Sequence, residues 1–164
     1  MNPRVRSALI VAALPFVFSL LQSLATLGTT VFWQDSGIFL SGIRELSVLY
    51  PHGFVLYQLT AWLWTQVFGF LEFTRAVHLY SAVCTAGACA ALALASRDLL
   101  RSRHCGTSGA PEAFLQDGAG AAVGCLAAGG FTMASAGISA KGYALCYLVL
   151  ALQLWFIVRA AEQG

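Results

Sequence analysis

The sequence predicts an all-α integral membrane protein, and two observations carry that reading. Of 164 residues, 59% are hydrophobic and only 10% are charged, against about 25% charged in a soluble domain; mean hydropathy is +0.75. The charges are also clustered. Runs of 17 to 28 uncharged residues separate Arg6 from Asp35, Glu45 from Glu72, Arg75 from Arg97, Asp117 from Lys141, and Lys141 from Arg159. A bilayer-spanning helix needs about 20 mostly apolar residues. A soluble enzyme, a disordered chain and a free nucleic-acid-binding domain are excluded. The net charge of +2 gives no reason to expect an anionic partner and none to expect nucleic acid.

The chain reads as one membrane domain over residues 1–164. It opens on the basic head Met1-Asn2-Pro3-Arg4-Val5-Arg6, before an apolar run from Ser7 to about Trp33. A signal peptide shares that polarity, but its apolar core is only about 7–15 residues long. The run is therefore read as a retained first span, kinked at Pro15. Residues 34–52 form a polar break holding Asp35, Arg44, Glu45 and His52. Residues 53–71 are apolar enough to span, yet their pattern is that of a helix lying in the interface. Leu56, Leu59, Leu63, Val67 and Phe70 recur at helical spacing, Gln58, Thr65 and Gln66 fall elsewhere, and Trp62 and Trp64 are interfacial by type.

The distribution of basic residues arbitrates. With the N-terminus in the cytoplasm and 53–71 lying flat, six of nine basic residues are cytoplasmic; if 53–71 spans, only four are. The flat arrangement also keeps the Arg97–Arg103 cluster inside, as expected. Four spans follow, at about 7–30, 76–96, 119–138 and 142–159, with an external loop over 31–75 containing interfacial helices. The protein is then a multi-pass protein of the cell membrane with a cytoplasmic N-terminus. Residues 97–118, with Gly106, Gly109 and Pro111, read as a flexible connection. Gly120, Gly124 and Ala128, and Gly130 with Ala134, give the small-xxx-small spacing that lets helices pack closely.

Few residues carry recognisable chemistry. The five cysteines contain no C-x-x-C and have an odd count, so they form neither a metal site nor a disulfide framework. Asp35, just past the first span, is a candidate base for an acceptor hydroxyl or a ligand for a divalent cation; it could equally cap a turn. His52, beside Pro51, could meet a lipid phosphate or donate to a nearby carbonyl. His78 lies one turn after Arg75. Arg75 and Lys141 either bind a phosphate or anchor helix ends by snorkelling.

Longer motifs sharpen these readings. Asp35-Ser36-Gly37-Ile38-Phe39 is followed at the right gap by Tyr50-Pro51-His52-Gly53-Phe54-Val55-Leu56-Tyr57. The pair resembles D-[SC]-G-E-[FL] and H-P-P-G-[YAF]-P-L-[YF] of the protein O-mannosyltransferase-like family, within the GT-C class of membrane glycosyltransferases. Downstream, Arg75–Ala91 is similar to that family's arginine and small-residue span. Ala140-Lys141-Gly142-Tyr143-Ala144-Leu145 is similar to its A-E-x-Y-A-L. Ile38 and Lys141 stand where the family carries glutamate, and Tyr50 and His52 depart from its H-P-P. The likeness runs in order through most of the chain and fits the N-terminal part of a GT-C module, which is usually much longer.

The resemblance implies inverting transfer of a sugar from a polyprenyl-phosphate donor to a hydroxyl acceptor on the external face. Asp35 would be the catalytic base, and Arg75, Lys141, Tyr143 and His52 would line the donor side. It implies no cofactor beyond a possible divalent cation near Asp35. The partners would be membrane lipid, the lipid-linked donor and, for a part of a module, a second polypeptide completing it. Two other readings stay open: a non-catalytic subunit or truncated relative, and a small transporter or channel subunit.

Overall fold

The computed structural model describes residues 3–26, 34–46, 54–103, 110–138 and 142–163. These form seven helices and, among the described residues, no strand: α1 Pro3–Ala25, α2 Gln34–Glu45, α3 Val55–Val67, α4 Phe73–Arg103, α5 Ala110–Gly129, α6 Phe131–Gly137 and α7 Tyr143–Gln163. The all-helical expectation holds.

Helix α4 is the central element, packed against α1, α5 and α7. Its small residues permit this: Ala82, Ala86, Ala88 and Ala93 are fully buried. Glycines bring the neighbours close. A Cβ on Gly124 would lie 2.8 Å from the Pro15 ring and 2.9 Å from the Ala93 Cβ, and one on Gly120 would lie 2.8 Å from the Ala93 carbonyl oxygen. The Gly120-Gly124-Ala128 row is thus used where α1, α4 and α5 meet. Pro15 stays inside α1, its ring accommodated because Gly124 offers no side chain.

Contacts along α4 fix the directions. Ser19 bonds the Cys89 thiol, and Pro15 and Ala93 meet across Gly124, so α1 runs antiparallel to α4. Arg101 pairs with Asp117 and Arg97 abuts Gly120, so α5 is also antiparallel. Leu148 lies against Gly87 and Trp155 reaches Asp98, so α7 is parallel to α4. One end of the bundle therefore holds the start of α1 with Arg97, Arg101 and Arg159. The other holds α2, α3, α6 and the starts of α4 and α7.

Several boundaries differ from expectation. Among the described residues, three of the four expected spans are matched by helices long and apolar enough to cross a membrane: Val5–Ala25, Phe73–Ser102 and Tyr143–Ala161. The span expected at 119–138 is broken at Gly130, whose extended backbone separates α5 from α6. Two consecutive glycines there weaken the helix by about 1 kcal/mol each. Instead α5 begins at Ala110, and its first half contains Glu112, Gln116 and Asp117, which lowers its apolarity. The expected flexible connection over 97–118 is mostly helix: α4 continues to Arg103 and α5 starts at Ala110. The reason is that Arg97, Asp98, Arg101 and Asp117 pair with one another, so the charges meant to mark a loop lie within packed helices.

Helix α3 has 13 residues, which at 1.5 Å per residue is about 20 Å, short of the roughly 30 Å hydrocarbon layer. Its inward face is Tyr57, Gln58, Ala61 and Thr65. The apolar stripe faces outward, from Leu56 through Leu59, Leu63 and Val67 to Phe70. A soluble protein would reverse that arrangement.

Candidate functional site

The two motif regions meet at one end of the bundle, through aromatic rings. Phe54, at the start of α3, lies edge-on to Tyr143 at 5.6 Å between ring centres. It also packs edge-on against Phe39 of α2 at 5.5 Å. Phe39 in turn meets Tyr57 at 5.9 Å, and Tyr57 meets Tyr80 of α4 at 5.5 Å. Edge-to-face pairs at these spacings are favourable beyond their buried area. Gly142 makes the first contact possible, because a Cβ there would overlap the Phe54 ring.

Hydrogen bonds tie α3 to α4 beside these rings. The Tyr57 hydroxyl and Ser81 Oγ are 2.8 Å apart, and Thr60 and Tyr80 share a bond of 2.6 Å. Burial pushes the Tyr57 phenol well above its ordinary range, outweighing the opposing bond to Ser81, because a phenolate there would lose its hydration. Tyr57 is a neutral hydroxyl in this site. Further down the same face of α4, His78, Ser81 and Thr85 are all buried, giving a polar row within an apolar helix.

The expected site residues fall into three groups. Asp35 is the second residue of α2, one turn ahead of buried Phe39; its side chain lies outside the described residues. Tyr143 opens α7, half exposed, and is joined to the 54–57 motif through Phe54. Arg75, in the first turn of α4, is 55% exposed and paired with Glu72 at 3.5 Å, so its charge is shared with a neighbour on the same helix start. His52 and Lys141 lie outside the described residues. The structure thus joins Tyr143 and the helix carrying Asp35 to one aromatic cluster, and does not show Arg75 as part of it.

Three features were missed by sequence reasoning. Phe54 and Gly142 are the contact pair between motifs, and only the bulky-small complementarity hinted at it. Tyr57 and Ser81 couple α3 to α4; the helical spacing of His78, Ser81 and Thr85 was the available signal. At the opposite end, Asp98 accepts from Arg97 Nε at 2.8 Å, Arg97 Nη2 at 2.5 Å and Trp155 Nε1 at 3.0 Å. Among the described residues, no group of three or more His, Cys, Asp or Glu could hold a metal ion.

Residues 35–164 match the family described as the protein O-mannosyl-transferase TMEM260 N-terminal domain. The chain belongs to that family. The matched segment takes in α2 to α7 and with them Asp35, His52, Arg75, Lys141 and Tyr143. No curated protein and no solved structure matches. The likeness first seen in short motifs is thus the likeness of an O-mannosyltransferase-related N-terminal domain, and its three long apolar helices are compatible with a membrane protein.

Proposed function

We propose that this TMEM260-type N-terminal domain belongs to a GT-C glycosyltransferase using a polyprenyl-phosphate sugar. The acceptor would be a hydroxyl group on the external face. The observation that carries this reading is the seating of Phe54 on Gly142 and Tyr143, which joins two motif regions nearly ninety residues apart in sequence. Asp35 takes the acceptor's hydroxyl proton as the acceptor oxygen bonds to the anomeric carbon. The bond from that carbon to the phosphate oxygen breaks, and the polyprenyl phosphate leaves with the electron pair. Arg75, Lys141, His52 and Tyr143 hold the donor. A divalent cation beside Asp35 is compatible with this role, and no step depends on it.

Asp35→Asn keeps size and removes the base. In membranes containing the whole protein, sugar transfer from a polyprenyl-phosphate donor should fall by about 10²-fold or more, with protein level and melting temperature unchanged. An undiminished rate would remove the assignment.

A second reading has its own observation. Only 22% of the α1 apolar window and 11% of that of α7 are buried, leaving two long apolar faces for lipid or further helices. The chain would then be a non-catalytic subunit completed by a second polypeptide, and Asp35→Asn would leave transfer by the assembled complex unaffected.

The orientation proposed for either reading puts the N-terminus and the Arg97–Arg103 end in the cytoplasm, and α2 and α3 in the external interface. Cys105 follows that cluster. A membrane-impermeant maleimide should spare it in intact cells and label it after permeabilisation; labelling beforehand would reverse the orientation.

A further inference from the structure

A second site lies at the far end of α3, where a cavity of about 220 Å³ opens between α2, α3 and the start of α4. Its lining includes the polar side chains of Arg44, Thr65 and Gln66 and the apolar ones of Leu71 and Phe73. The Arg44 guanidinium carbon sits 5.9 Å from the centre of the Phe73 ring. That is within reach of a cation–π contact, and the exposed guanidinium keeps N–H groups available to a ligand. Glu72, the nearby carboxylate, is engaged by Arg75, and Arg44 has no ion pair among the described residues. The cavity therefore presents one permanent cation without an ion-pair partner among the described residues, together with apolar Leu71 and Phe73.

What surrounds the opening selects the ligand. Val67 and Phe70 beside it are 73% and 81% exposed, continuing the outward apolar stripe of α3. A small free anion would use Arg44 but not the stripe, and an uncharged acyl chain would use the stripe but not Arg44. An amphiphile with a phosphate head uses both. We propose that this cavity binds the phosphate head of an anionic membrane phospholipid, with an acyl chain laid over Val67 and Phe70. The bound lipid holds the end of α2 to α3 and α4. Asp35 and Arg44 stand at opposite ends of α2, about 14 Å apart along its axis, and Arg44 is turned to Phe73. The cavity is thus apart from Asp35, but Arg75, assigned to the donor, lies in the same first turn of α4 as the lining residues Phe73 and Ala76, so polyprenyl phosphate is the competing ligand.

The test is lipid retention by the purified full-length chain in detergent, read by native mass spectrometry with added phosphatidylglycerol. Wild type should retain one lipid. Arg44→Gln should weaken retention about tenfold or more, the expected loss of a charge-assisted bond. Arg159→Gln, the same charge change at the opposite end of the bundle, should retain lipid as wild type does. So should Asp35→Asn, which separates this proposal from the transferase reading. Diacylglycerol, which has no phosphate, should not be retained, and millimolar inorganic phosphate should not displace phosphatidylglycerol. Equal retention by Arg44→Gln and wild type would overturn the proposal. Displacement by inorganic phosphate would make this a small-anion site, and displacement by polyprenyl phosphate would make it the donor's own; either result also overturns it.

Discussion

The two ends of the bundle handle charge in opposite ways. At the end holding Arg97, the ion pair with Asp98 is closed off, its side chains 9% and 6% exposed, and Trp155 adds a third donor. Arg101 and Asp117 form a second, partly buried pair at 2.7 Å. At the end holding the motifs, the one pair among the described residues, Arg75–Glu72, is 55% exposed on both sides, and Arg44 lies over the Phe73 ring at 5.9 Å without an ion-pair partner among the described residues. Aromatic edges and hydroxyl pairs do the joining there. Enclosed charges tie helices together, whereas accessible ones remain able to meet a ligand. The contrast therefore divides an end held by enclosed ion pairs from the end where ligand binding is proposed.

The largest effect on stability should come from breaking the enclosed pair. Asp98→Ala leaves the Arg97 guanidinium buried without its carboxylate and Trp155 Nε1 without an acceptor. Removing one member of a buried pair costs about 3–5 kcal/mol. The matching change at the other end, Glu72→Ala, removes an exposed pair with a contribution of about 0–1 kcal/mol. Thermal melting of the purified protein should show a large drop for Asp98→Ala and almost none for Glu72→Ala. Equal shifts would mean that both pairs are solvated alike, and the division between ends would fail.

The same contrast explains what the sequence revealed. Charge-free runs exposed the helices starting at Pro3, Phe73 and Tyr143, because apolarity over 20 residues is a local property. The spacing over 53–71 exposed a stripe that does not fit a spanning helix, and α3 is indeed too short to cross. What remained illegible depended on partners distant in sequence. Arg97, Asp98 and Arg101 looked like the start of a loop, since nothing local says that Asp117 and Trp155 will meet them. The break at Gly130 was hidden because glycines also serve close packing, as Gly120 and Gly124 do. For the site, the motifs brought out Tyr143 and the helix of Asp35. Arg44 was legible only as part of the polar break, because its place over Phe73, beside a cavity, depends on a partner distant in sequence.

A smaller effect tests how the motif end is held together. Tyr57→Phe keeps the ring that touches Phe39 and Tyr80 and removes only the hydroxyl 2.8 Å from Ser81 Oγ. Ser81 retains a weak bond to the Val77 carbonyl at 3.4 Å, so the loss should be about 1 kcal/mol. The same hydroxyl carries a pH signature. Burial raises the Tyr57 pKa in the folded protein, whereas an unfolded tyrosine ionises near pH 10. The folded state thus holds its proton longer, so this contribution to stability is complete below about pH 10 and is lost as pH rises further. Melting curves between pH 8 and 11 should therefore fall less steeply for Tyr57→Phe than for wild type. Parallel curves would show that the hydroxyl is reached by water, and that the aromatic joint is looser than the enclosed ion pairs at the opposite end require for the contrast to hold.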